Sequence, residues 1–430
     1  MNKIGGEIVA KNKSKTTKHI KSQKKICLCM IVKNESKIIE RCLNPTKSII
    51  DFVSICDTGS TDGTPEIIEN WCRENNIPGT VHHEPFKNFG YNRSLAVSLA
   101  QKTYPEADYL LLLDADMVLE VKPHFDKCKL DKDHYLTMQY DPQIKYWLSR
   151  LLKTSLPWRS VGVTHEYWDL DRSKLKADQV TYFDTVEKLD SLIINDQGDG
   201  GSKSDKFERD KRLLLEGIHD EATPPDLKIR YMFYLAQTLS ILNELDEAIK
   251  WYKKRVEAGG WAEEVFYALL RIGLCYERLA NTASFQREQL ITESEKNKSK
   301  VDQSTIDTFI HQEEQFFALA TTYLQNAWEY RPCRAEPLSH LARMYRLKAK
   351  NNLSLMYALQ GKEIPFPKED ILFVDYHVYD YLFDHEISIC AYYIENKRNL
   401  GRAAQKRLQS KIKQLPPHIA EVVENNSKFY

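Results

Sequence analysis

The sequence predicts an α/β domain built on a doubly wound sheet, followed by an all-α domain of helical repeats. Up to Leu113, short apolar runs alternate with stretches whose apolar residues recur at helical spacing, the order of a parallel sheet covered on both faces. From Asp226 onward the pattern changes to the 3.6-residue period and stays there. The chain length of 430 residues leaves room for two to three domains.

The first apolar run, Lys25–Val32, has strand length, and helical spacing follows through Ile38, Ile39, Cys42 and Leu43. Phe52–Cys56 is a second strand. It ends in Asp57-Thr58-Gly59-Ser60-Thr61-Asp62-Gly63-Thr64-Pro65, a run of loop and N-cap formers in which Pro65 suits the first turn of a helix over 66–75. Thr80–His83 reads as a short third strand, 92–102 as a third helix and Asp108–Leu113 as the fourth strand. Four consecutive leucines in that strand predict burial on both faces. It stops at Asp114-Ala115-Asp116, at the sheet edge where open α/β folds bind ligands. Carboxylates at i and i+2 there suit a hard divalent cation that also takes substrate phosphate oxygens. Neither G-x-G-x-x-G nor G-x-x-x-x-G-K-[ST] occurs at the strand ends, which excludes the dinucleotide and P-loop readings.

Composition narrows the class further. Charged residues make up 28% and apolar residues 42%, an ordinary globular balance. The net charge of zero offers no global attraction for nucleic acid or an anionic membrane. The nine cysteines are odd in number and scattered, and several sit within strand-like runs as small hydrophobes, so no disulfide framework is expected. No run has membrane-spanning length and the start lacks an apolar signal core, so the expected location is the cytoplasm. Residues 1–25 are Lys-rich and expected to be a disordered tail.

The strand-end features together, Lys33-Asn34-Glu35, Asp57-x-Gly-Ser-x-Asp-Gly-Thr, Arg93 with its neighbours and Asp114-Ala-Asp116, resemble the inverting nucleotide-sugar glycosyltransferases of family 2. The resemblance covers about residues 25–215 and implies the GT-A fold. It implies donor contacts from Lys33, Asn34 and Glu35, reading of the pyrimidine by Asp57, and a nucleotide contact from Arg93. That arginine stands in Asn92-Arg93-Ser94, where the family has Ala-Arg-Asn. Asp114 is then expected near the ribose, and Asp116 on Mn²⁺ or Mg²⁺ bridging the diphosphate of a nucleotide-sugar, a UDP-sugar being favoured.

Two later stretches extend the resemblance to a subgroup with a helical-repeat tail. Trp158-Arg-Ser-Val-Gly162-Val-Thr-His165-Glu166 is similar to its Trp-x-Gly-x-x-His-Glu segment, with one more residue between Trp158 and Gly162. An inverting transfer needs a base for the acceptor proton. Glu166 is the candidate, with Asp169 and Asp171 as alternatives. His165 is the candidate second metal ligand, or a neighbour of the diphosphate. Gly200-Gly201-Ser202 leads into Lys203, Lys206 and Arg209, a basic stretch able to close over phosphates on glycine hinges.

In the second half, Ala236, Leu239 and Leu242 are echoed 37 residues later by Gly273, Tyr276 and Leu279, and 246–252 looks like the second helix of a tetratricopeptide unit. A polar insertion over 282–308 is expected to interrupt the array, before helices at 309–330, 336–350 and 353–359 and an aromatic-rich pair at 371–395 and 400–415. The expected division is therefore a basic tail (1–25), the GT-A domain (26–200), a lid or linker (201–225), the tetratricopeptide-like domain (226–415) and a C-terminal tail (416–430). The α/β half leaves little chain for an acceptor site, so the repeats are expected to complete it and to offer a surface for a protein partner. The acceptor is expected to be a glycan, a lipid-linked glycan or a protein, with no nucleic-acid partner and no transmembrane segment. Two rivals differ in testable features. An inactive adaptor has no chemical need for Asp114, Asp116 and the His165–Glu166 pair. A sugar nucleotidyltransferase would place a Gly-rich loop after strand one, where this chain has Lys33-Asn34-Glu35-Ser36.

Overall fold

The computed structural model describes residues 23–140, 145–175, 184–200, 206–297 and 302–430. The expected basic tail at 1–25 therefore lies almost wholly outside the described residues, as does Lys203.

The N-terminal half runs β1 (Ile26–Val32), α1 (Ile39–Thr46), β2 (Phe52–Asp57), α2 (Thr64–Glu74), β3 (Gly79–His83), α3 (Phe89–Thr103), β4 (Tyr109–Leu112), β5 (Met117–Val121), β6 (His134–Tyr140), β7 (Lys145–Lys153), β8 (Trp158–Val161), β9 (Tyr167–Leu170) and β10 (Val186–Asp196). Eight strands form one sheet in the order β3-β2-β1-β4-β7-β6-β10-β5, while β8 and β9 pair separately. The first four are parallel, as expected, and β7 then joins β4 antiparallel. Their apolar runs are continuous because both faces are covered. Ile26, Leu28, Met30 and Val32 face one core with α1 and α2, whereas Cys27 and Cys29 of the same strand face the other with α3. Cys27, Cys29 and Cys56 are thus core residues, and burial pushes the Cys29 thiol up to about 12. All nine cysteines are free. The third helix starts at Phe89, before the expected Asn92, because the Asn88 side chain accepts a bond from Tyr91 N and caps it.

The second half is helical: α4 (Lys206–His219), α5 (Pro225–Ile241), α6 (Leu245–Glu257), α7 (Ala262–Asn297), α8 (Gln303–Tyr330), α9 (Glu336–Leu347), α10 (Asn351–Lys362), α11 (Phe383–Cys390), α12 (Arg398–Ser410) and α13 (Pro417–Asn426). Successive helices pack on one another around a core running from Leu214 to Ala404. Three expectations need correction. The polar stretch over 282–308 does not interrupt the array, because its described residues extend α7 and begin α8, giving helices of 36 and 28 residues. Polar residues such as Glu, Gln and Lys are good helix formers, and an ion pair between Arg287 and Glu313 joins the two at 2.5 Å. Residues 371–395 are not one long helix. They hold a π-helical turn at Val378–Leu382, the short α11 and a 3₁₀ turn. Residues 416–430 do not trail away: α13 buries Ile419 and Val423, and the Tyr430 hydroxyl donates to Ser388 O.

Candidate functional site

Two cavities meet at the C-terminal edge of the sheet. The smaller, of ≈ 380 Å³, lies beyond β1 and β4 and is lined by Lys33, Glu35, Asp114, Asp116, Asp196 and Arg209, among others. The larger, of ≈ 620 Å³, lies between β7, the β8–β9 hairpin and the helical half, and Trp147, Glu166, Trp168, Tyr234, Trp261 and Phe373 line it. Arg93 and Lys206 line both.

Asp114 sits at the end of β4 and accepts from Arg93 Nη1 at 2.7 Å, with Arg150 Nη1 at 3.6 Å. Burial raises its carboxyl, but the two guanidiniums outweigh burial and hold it down at about 2. Asp116 moves the other way. Burial raises it, and the negative charges of Asp196 and Asp114 add to that effect. Its Oδ2 accepts from Gly200 N at 3.3 Å, and a Cβ at position 200 would stand 3.0 Å from that oxygen. A side chain there would press on the tip of that carboxylate. Among the described residues no three His, Cys, Asp or Glu side chains converge as a preformed metal cage. Crowded carboxylates at Asp116 and Asp196 do fit a Mg²⁺-type ion, which takes one or two protein carboxylates and completes its shell with phosphates and water.

The loops after β1 and β2 brace each other beside this cavity. Asn34, at φ 57°, donates its N–H to Ser60 Oγ and accepts from Thr61 N, both at 2.8 Å. Glu35 N donates to Thr64 Oγ1 at 2.8 Å and its side chain lines the cavity, as does the exposed Lys33. Asp57 does not line it. Its buried carboxylate accepts from Gly59 N and Ser60 N and so caps its own turn.

At the second cavity, Glu166 lies between the halves of the protein, 4.0 Å from Arg93 Nε. Its Oε1 has no hydrogen-bond partner among the described residues. Burial raises its carboxyl above the ordinary carboxylate range, against the pull of Arg93. His165 precedes it at φ 52°, its ring stacked on Tyr234 at 4.1 Å. Desolvation against Tyr234, helped by the charges of Lys206 and Arg230, lowers the imidazole below its usual range. It lines the second cavity while Asp116 lines the first, so the structure does not bring these two proposed metal ligands together. Asp169 instead pairs with Arg159 at 3.0 Å, and Asp171 with Lys174 at 3.0 Å.

Two residues escaped the sequence reading. Asp196 is the last residue of β10, much as Asp114 follows β4 by two residues, so the strand-end argument would have found it. Arg150 is a buried guanidinium within the strand-like run Tyr146–Leu151, and its Nη2 donates to Gln139 Oε1 at 2.9 Å. An arginine inside an apolar strand was the available signal.

Residues 27–126 match the model of Glycosyl transferase family 2, and this segment of the chain carries a family 2 domain. Among curated proteins, glycosyltransferase SunS of Bacillus phage SPbeta and its prophage-derived counterpart in Bacillus subtilis are each 24% identical over 53% of this chain. A TPR repeat-containing protein of Synechococcus elongatus is 33% identical over 22% of it. The chain spans about half, 52%, of the length of the SunS proteins and 22% of the third relative. Among solved structures, S. aureus TarS is a loose match, with 14% identity, a TM-score of 0.30, and 58% and 52% of the two chains covered.

Proposed function

We propose that the protein is a cytoplasmic, inverting glycosyltransferase that moves a sugar from a nucleotide-sugar, a UDP-sugar being favoured, to an acceptor hydroxyl. The observation that carries this reading is Arg93, which holds Asp114 in the smaller cavity and lies 4.0 Å from Glu166 in the larger one. One cation thus joins a donor pocket and an acceptor pocket at the place where a sugar would pass between them. The family 2 match over 27–126 supports the same reading, and nine free cysteines suit a reducing compartment. No described helix is long and apolar enough to cross a membrane.

In this mechanism the acceptor oxygen attacks the anomeric carbon as the bond to the diphosphate breaks. The nucleoside diphosphate leaves with the electron pair, and attack from the face opposite to it inverts the centre. Glu166 takes the acceptor proton, for which its free Oε1 and raised affinity for protons suit it. Asp116, with Asp196, would hold Mn²⁺ or Mg²⁺, which when bound would supply positive charge to offset that of the departing diphosphate. Lys206 and Arg209 line the smaller cavity and add positive charge near it. Asp114 and Arg93 fix each other and orient the nucleotide; Lys33 and Glu35 line the same cavity, and Asn34 braces the loop that carries them. The acceptor, a glycan, a lipid-linked glycan or a protein, enters the larger cavity, whose far wall the helical half provides.

Calorimetric titration of UDP with and without Mn²⁺, repeated on Asp116→Asn, tests the donor site. Mn²⁺-dependent binding that the variant loses is expected. Equal UDP binding with and without Mn²⁺ would reject the metal site, and no binding of UDP in either condition would reject the favoured nucleotide.

A further inference from the structure

The turn that carries Glu166 is held in an unfavourable backbone shape from outside its own domain. Between β8 and β9, Gly162 has φ +129° and His165 has φ 52°. A left-handed histidine persists only where its surroundings over-determine it. Those surroundings include α3, whose Gly90 packs on Gly162 O, and α4 and α5 of the helical half. Tyr231 Oη accepts from Val163 N at 3.1 Å, and Thr164 Oγ1 donates to the buried Asp210 of α4 at 3.2 Å. Tyr234 stacks on the His165 ring with 7° between the planes.

Arg230, one residue before Tyr231 and one turn before Tyr234, touches the turn at more points than either. Its Nη2 donates to His165 O at 3.1 Å, the carbonyl of the peptide that leads into Glu166. Its guanidinium lies over Tyr167 at 5.0 Å and over Tyr234 at 4.8 Å, so rings from both halves face one cation. Behind it, Nη1 reaches Glu264 Oε1 at 3.4 Å, and the other oxygen of Glu264 takes Arg255 Nε at 3.0 Å. Glu264 and Arg255 are both buried, so this anchor is fixed within the helical core.

We propose that Arg230 is a positioning residue of the transfer reaction: from the helical half it locks the 162–167 turn and so aims the Glu166 carboxylate at the junction of the two cavities. The inference rests on the reading of Glu166 as base. It also explains why a transferase domain would need the repeats for chemistry as well as for acceptor contact. A planar guanidinium is required because one group must donate to a carbonyl, face a carboxylate and lie against two rings. Lysine offers a single point charge and cannot do all three.

Hydrogen exchange of the full chain, together with steady-state UDP release from UDP-sugars with water as acceptor, tests it on Arg230→Gln and Arg230→Lys. In both variants we expect amides 163–167 to exchange about tenfold faster or more, with the melting temperature and UDP affinity unchanged. UDP release should fall about 10²-fold in kcat with donor KM steady. Unchanged exchange at 163–167 in both variants would overturn the proposal, and this readout needs no turnover. Restoration of wild-type exchange and kcat by lysine would also overturn it, leaving Arg230 as a charge partner of Glu264 alone. Unchanged UDP release in Glu166→Gln would instead overturn the assignment of the base, a failure the exchange data do not share.

Discussion

Glu166 and Asp114 are carboxylates near the same arginine with opposite proton affinities. Asp114 faces Arg93 and Arg150, two cations for one buried charge, and stays ionised. Glu166 has only the longer contact to Arg93, so burial wins and its carboxyl is raised. Environments that push two acids apart in this way mark separate jobs for them. A base must be ionised to accept a proton, so activity should rise with pH through the raised value of Glu166. The acid limb of the kcat profile should therefore lie above the ordinary glutamate value of about 4.3. Glu166→Gln should lower kcat by about 10² to 10⁴ and abolish that limb, with UDP binding intact by calorimetry. A limb at or below the ordinary value would show that a different group is titrating.

Among the elements, α3 and the β8–β9 hairpin pack closely on each other beside the base. Gly90, in the first turn of α3, packs so closely on the hairpin that a Cβ there would stand 2.5 Å from Gly162 O and 3.2 Å from Ser160 O. The Ser94 hydroxyl, one turn on, donates to Gly90 O and accepts from Ser160 N at 2.9 Å. Arg93 leaves the same helix toward Asp114 and Glu166, so the contact sets the distance between Arg93 and the base. Gly90→Ala must push one element away from the other, and backbone atoms cannot move as a side-chain tip can. A loss of about 1–3 kcal/mol in denaturant unfolding is expected, with a fall in kcat larger than the change in UDP affinity. Stability and kcat equal to wild type would mean that α3 and the hairpin are not tightly coupled.

For the whole molecule, the larger cavity is a joint product of both halves. Tyr146 of β7 meets Phe373 of the helical half edge-on at 6.0 Å, and Lys188 Nζ of β10 donates to Lys368 O at 2.9 Å. Trp261, just before α7, is 41% exposed and lines the cavity with no role in the donor pocket. Trp261→Ala should therefore raise acceptor KM severalfold while leaving donor KM and UDP affinity unchanged, as steady-state kinetics with an identified acceptor would read. A selective rise in donor KM would place the donor, rather than the acceptor, in that cavity.

The sequence by itself determined the two halves, the parallel order of the first four strands and the placement of carboxylates at their ends. Those features follow from local periodicity and from the rule that a parallel sheet presents its strand ends to one side. Strand-end position marked Asp114 and Asp116, the family resemblance marked Lys33, Glu35 and Arg93, and the basic stretch after the glycines marked Lys206 and Arg209; all of them line the smaller cavity. Tertiary structure decided the rest, because burial and partner choice depend on residues far apart in the chain. Asp57 turned inward to cap its own loop, and Asp196 joined Asp116 across 80 residues through the pairing of β10 with β5. His165 lay against Tyr234 rather than beside Asp116, since the helix that receives it begins only at Pro225. The polar stretch after α7's buried core became the arm of a long helical pair, because packing against α8 supplied the partner that its own composition could not reveal.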